Sequence, residues 1–181
     1  MNFSFDFVFK HYFKHLFDGF HQTDVIIGVI YILITVVVGM WKGWKQTFRL
    51  LIIGYFLFVL YATVISRPQN ERIQYCLIPF KSYFSIDDGD RFLLPQVLMN
   101  IVMFIPIGFL LKVAYSSWEL KKVLAYGSLF SLLIEMLQLA LMKGAAEVDD
   151  LIHNTFGCVI GYGMAVLLSA LRFKYKVVLG R

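Results

Sequence analysis

The chain has 181 residues, 59% of them hydrophobic and 16% charged, and its mean hydropathy is +0.71. Soluble domains are nearer half apolar and carry more charge, and here the apolar residues fall into long uncharged blocks, so an ordinary soluble core is excluded and a bilayer is required. The net charge of +5 comes without a basic helix or a recognition motif, which excludes nucleic acid as a partner; basic residues at helix ends serve instead to orient a membrane protein.

The first twenty residues lack the basic start, clean apolar run and small-residue site of a cleavable signal, so membrane targeting is expected to fall to the first spanning helix. Between residues 5 and 20, Phe5, Val8, Phe9, Tyr12, Phe13, Leu16, Phe17 and Phe20 follow i, i+3, i+4 spacing. Lys10, His11, Lys14, His15 and Asp18 take the opposite side. Residues 1–22 are therefore read as an amphipathic helix at the membrane interface, with packing on the bundle as the alternative.

Residues 23–181 are read as one all-α, polytopic membrane bundle of about five spans, at 25–41, 48–65, 92–113, 123–142 and 151–171. The first two spans are joined by Trp41, Lys42, Gly43, Trp44 and Lys45, a short turn of interfacial character. The stretch 66–91 is the longest polar connection, without obvious regular structure, and carries Lys81, Arg91 and the acidic cluster Asp87, Asp88 and Asp90. Pro95 is near the start of the third span, where proline is tolerated, whereas Pro106 is deep inside and predicts a kink or break. Cys76 falls in the connection and Cys158 in a helix, so no disulfide is expected. Neither cysteine has a histidine at zinc-ligand spacing, and no second histidine stands at ligand spacing from His153, so neither metal nor cofactor is expected.

If the turn after the first span is cytoplasmic, ten of the 17 Lys and Arg residues lie on that side, and they sit close to helix ends. Of the acidic residues only Glu119 joins them. This predicts a multi-pass protein with the N-terminus outside and the C-terminus in the cytoplasm.

Ionisable groups inside a bilayer are costly, and Glu135 is the one that falls clearly within a predicted span. Ser128, Ser131, Glu135 and Gln138 share one face of the fourth helix. Asp150, Asn154, Gly157 and Gly161 share one face of the fifth, where the glycines permit close helix approach. The third offers Gln96 and Asn100. At about 1.5 Å per residue, Glu135 and Asn100 lie about 10–12 Å below the outer ends of their helices, and Asn154 about 6 Å below Asp150, so depth and face permit one outward-opening pocket. Plain interhelical hydrogen bonding at about 0.6 kcal/mol per pair is the alternative for Asn100 and Gln138. Capping of the fifth helix is the alternative for Asp149 and Asp150.

Four motifs in order resemble the VanZ-like family over residues 48–170: Ile78-Pro79-Phe80-Lys81; Asn100 followed by an apolar run through Pro106 and Gly108; Glu135 with Gln138; and Asp149-Asp150 leading to Asn154 and Gly157. One departure is at Lys143-Gly144-Ala145-Ala146, where the family usually places an arginine before the acidic run; a lysine keeps the charge without the bidentate fork. The resemblance implies a role in the bacterial cell envelope, at the cytoplasmic membrane, related to resistance to teicoplanin and similar lipoglycopeptides. The implied partners are membrane lipids and a lipid-linked cell-wall precursor or lipoglycopeptide. Lys81, Arg91, Asn100, Glu135, Gln138, Asp149, Asp150 and Asn154 are the candidate binding residues. A second reading is an intramembrane enzyme acting on a lipid-linked precursor, with Glu135 and Asp150 as acid and base. A third is a small transporter, against which the lack of an inverted repeat argues.

Overall fold

The computed structural model describes residues 22–87 and 93–178. The predicted helix at 5–20, the acidic residues Asp88 and Asp90, and Arg91 lie outside the described residues. In chain order the elements are α1 (Gln22–Lys42), α2 (Trp44–Leu60) continued by a π-helical turn (Tyr61–Ile65), β1 (Gln74–Cys76), α3 (Lys81–Asp87), α4 (Leu93–Ala114), α5 (Leu120–Leu141), β2 (Ala145–Glu147) and α6 (Val148–Val178). The chain is an all-α membrane bundle with one minimal strand pair.

Among the described residues four helices are long and apolar enough to cross a bilayer: Trp44–Ile65, Leu93–Ala114, Leu120–Leu141 and Val148–Leu171. The apolar part of α1, Ile26–Lys42, is shorter. α1 is peripheral and packs mainly on α2, where Tyr31 donates its hydroxyl to the Leu50 carbonyl and lies over Gly54. Most of its aliphatic side chains face outward, as lipid-facing residues must when the surroundings are themselves apolar.

The bundle is built around α4 and α6, its most extensive interface. Gly157 and Gly161 make that contact possible. A Cβ on Gly161 would lie 1.9 Å from the Ile105 carbonyl oxygen, and one on Gly157 would lie 2.3 Å from that of Ile101. Backbone therefore packs directly on backbone, the small-residue route by which membrane helices associate. Beside it, Phe104, Ile107, Val59, Val123 and Cys158 are fully buried, and Phe130 stacks on Phe56 at 4.2 Å.

Of the kink or break expected at Pro106, the break does not occur: α4 continues through it. Proline removes the one backbone donor that would meet the Val102 carbonyl, a loss a membrane helix tolerates where its neighbours hold it in place. Here Tyr55 of α2 donates its hydroxyl to the Met103 carbonyl at 2.9 Å, in the turn before Pro106. The close seat of α6 on Ile101 and Ile105 holds the same stretch from the other side.

The stretch 66–91, expected to be irregular, contains β1 and α3. β1 pairs in parallel with β2, Gln74 opposite Ala145 and Cys76 opposite Glu147. The long connection is thereby fastened to the turn between α5 and α6, at one end of the bundle.

Candidate functional site

The polar rows of α5 and α6 face each other. Ser128 and Thr155 share a hydroxyl hydrogen bond of 2.9 Å, and Asn154 donates to the Ser131 hydroxyl at 2.8 Å. One turn higher, Glu135 accepts the backbone N–H of Glu147 at 2.8 Å. Gln138 donates to the carbonyl of Thr63, in the π-helical turn, at 2.9 Å. The row thus joins α5 to α6, to β2 and to the end of α2. Below Ser128 the seam closes where the Cys158 thiol meets Gly127 and its carbonyl meets Gly108.

The start of α6 works in two directions. Asp149, buried, accepts the backbone N–H of Phe80 on one oxygen and that of Ser82 on the other at 2.8 Å. Phe80 has φ of +63°, a left-handed conformation uncommon for a large side chain. The carboxylate therefore fixes a strained turn and satisfies the orphan donors at the start of α3, a cap supplied from far along the chain. Asp150 points the other way, accepting from Asn100 at 2.6 Å and bonding Gln96, both on α4. His153 meets the Tyr83 hydroxyl of α3 at 3.0 Å, with the two rings edge to face.

One cation belongs to this cluster that sequence reasoning missed. Arg67 follows the π-helical turn, and its charge acts on Glu135, Glu147 and Asp150. Its guanidinium passes over Gly144, where a Cβ would stand 2.6 Å from Nη1; Gly144 also has φ of +97°, so glycine is needed there twice over. Asn70 ties this turn down, donating its side-chain amide to the Gly144 carbonyl at 2.8 Å and its backbone N–H to that of Met142 at 2.6 Å. Lys143 turns away and caps the Ile65 carbonyl at 2.8 Å. Lys81 is exposed at the rim, where its charge reaches Glu147. Burial raises the Glu147 carboxyl above the ordinary glutamate range, helped by the negative charge of Asp149 and opposed by Lys81 and Arg67. No trio of His, Cys, Asp or Glu side chains among the described residues is arranged to hold a metal ion.

A family model described as VanZ/LLP1 matches residues 47–169, from the first turn of α2 to far along α6. The chain belongs to the VanZ/LLP1 family. It is 32% identical over 73 residues to Protein VanZ of Enterococcus faecium, a match that covers 39% of this chain and 45% of that protein, or about half the relative's length. No solved structure matches the chain.

The four VanZ-like motifs are now seen to be bonded to one another or to common elements. The Phe80 motif is held by Asp149, Asn100 by Asp150, and Glu135 with Gln138 by β2 and the π-helical turn. Of the candidate residues, Asn100, Glu135, Gln138, Asp149, Asp150 and Asn154 lie buried at one end of the bundle and Lys81 on its rim. The structure also bears on the departure at Lys143-Gly144. Because Gly144 has no side chain, there is room there for the guanidinium of Arg67, which arrives from the other side of the connection. A signal for this existed in the sequence: Arg67 follows directly on the second span, and a glycine stands where the family usually has its arginine nearby.

Proposed function

We propose that this VanZ-like protein resides in the bacterial cytoplasmic membrane, N-terminus outside and C-terminus inside, and holds the polar part of an amphiphilic or lipid-linked envelope ligand at the polar end of its bundle. By doing so it contributes to resistance to teicoplanin or related lipoglycopeptides. The observation that supports this is one of composition: three carboxyl groups, Glu135, Glu147 and Asp150, lie within reach of the Arg67 charge, Lys81 reaches Glu147 from the rim, and Glu135 and Asp150 are each only 8% exposed. A purely structural bundle does not need such an excess, and buried ionisable groups at membrane depth mark sites by default. A ligand group that donates hydrogen bonds or carries positive charge balances it, while Lys81 on the rim takes an anionic part, with Arg91 as a second cation from the same connection.

The test is Glu135→Gln. Glutamine can still accept the Glu147 N–H, so the bond is kept and only the ionisable group is lost. Resistance to teicoplanin and binding of the lipoglycopeptide by reconstituted protein are expected to fall, with membrane abundance unchanged. An unchanged phenotype returns Glu135 to a packing role. The proximity of Glu135 to Asp150 favours a second reading, acid–base chemistry on a lipid-linked precursor. Turnover of a labelled precursor by the purified protein, lost in Glu135→Gln, selects that reading.

A further inference from the structure

Within the connection that follows the π-helical turn, the stretch from Tyr75 to Phe84 is built inside out. In α3 the polar Ser82 is buried, whereas Phe84 is 67% exposed. In the turn before it, Leu77 is 68% exposed, and Ile78 and Phe80 are also open. On β1 the Tyr75 side chain faces outward too. An element that hides its serine and shows its aromatics is not shaped for water.

Its depth is set by its fastenings. The Phe80 and Ser82 N–H groups bind Asp149, the second residue of the span that begins at Val148. β1 runs beside Ala145–Glu147, the three residues just before that span. The apolar face therefore stands at the level where the spanning helices end, not out in solution. It is also continuous with lipid-facing surface, since the connection leaves from Ile65, 58% exposed, and α3 packs on α4. Much of the backbone is already satisfied here, by β2 and by Asp149, which removes the usual cost of bringing irregular chain to an apolar boundary. Arg72 and Lys81, both exposed, supply positive charge among the apolar side chains, the pairing of aromatic bodies with basic groups found at headgroup level.

We infer that the segment Tyr75 to Phe84 is a monotopic anchor, docked into the headgroup–acyl boundary of the same leaflet that surrounds the polar end of the bundle, with Leu77, Ile78, Phe80 and Phe84 as the immersed side chains. Its occupant is the lipid surface, and the inference does not depend on the ligand reading above. Docked there, the connection is a strap held on one side by Asp149 and on the other by lipid.

Spin labels test this in the full chain, reconstituted in vesicles of phosphatidylethanolamine and phosphatidylglycerol. In a Cys76→Ser background, where Cys158 is buried, nitroxides are placed by Leu77→Cys and Phe84→Cys, with Val102→Cys as the lipid reference and Glu71→Cys as the water reference. The ratio of collisions with oxygen to collisions with a polar nickel chelate is expected to approach that of Val102→Cys at both positions and to exceed that of Glu71→Cys. A ratio equal to that of Glu71→Cys means the face is in water and overturns the inference. Exclusion of both reagents means a protein surface covers it and overturns it equally. Phe84→Trp gives a second readout, added fluorescence quenched by lipids brominated near the carbonyl; unquenched emission has the same negative meaning.

Discussion

The carboxylate of Asp149 accepts two backbone N–H groups from a segment 69 residues earlier in the chain. Each such bond to a charged acceptor is worth about 1.5–3 kcal/mol, because breaking it leaves a shielded donor unpaired. Asp149→Ala removes both and should leave the connection open to protease while lowering the unfolding temperature in detergent. Asp149→Asn keeps one carbonyl acceptor and should show about half the loss; identical behaviour of the two variants would mean that charge, not the pair of bonds, matters. That Asp149 is an acceptor was legible, since an acidic residue at a helix start is a familiar cap. Which helix it caps was not, because α3 lies elsewhere in sequence. Arg67 escaped for a similar reason: its place just after the second span and the bare glycine at position 144 were both visible, but nothing local joins the two.

At the scale of elements, apolar length made the helices of the bundle readable and spacing made their facing sides readable. Glu135 and Gln138 do turn inward, as do Asp150 and Asn154, since depth in a bilayer leaves polar groups few other places to go. The three-residue strands were unreadable: Gln74, Tyr75 and Cys76 are too few to show alternation, and their partner is far along the chain. Pro106 does not end α4, because Tyr55 and the close-packed α6 hold the chain on either side of it. The α4–α6 interface yields a sharp comparison. Gly161→Val puts carbons where the Ile105 carbonyl already stands, and should cost about 1–3 kcal/mol or more and deplete the folded protein. Gly163→Ala meets nothing within 4 Å and should be neutral or stabilising by up to about 1 kcal/mol. Thermal unfolding of the two in detergent checks both; equal losses would mean the interface is not set by backbone contact.

Over the whole molecule the two ends differ in chemistry. One gathers the carboxylates, Arg67 and the fastened connection. At the other, Tyr115 stacks on Trp118 and Trp118 on Tyr126, Arg49 lies over Tyr115, and Lys112 caps the carbonyls of Ser116 and Trp118. On the orientation proposed above, which follows the positive-inside tendency, the second end faces the cytoplasm. In intact cells a membrane-impermeant maleimide should then label Glu71→Cys, in a Cys76→Ser background, and leave Lys121→Cys untouched until the membrane is permeabilised. The reverse pattern would invert the orientation.

The parallel pairing of β1 with β2 has a consequence for how the chain is made. The first partner leaves the ribosome between the second and third helices of the bundle, and the second only after α5 is complete. Asp149 follows later still. Until then the connection has neither its strand partner nor its carboxylate, and its apolar side chains wait without the fastenings that later hold them. Assembly of this end is a late event that closes a long loop, a slow class of step in folding. The nascent chain passes through a stage in which its helices are inserted and its polar end is still open.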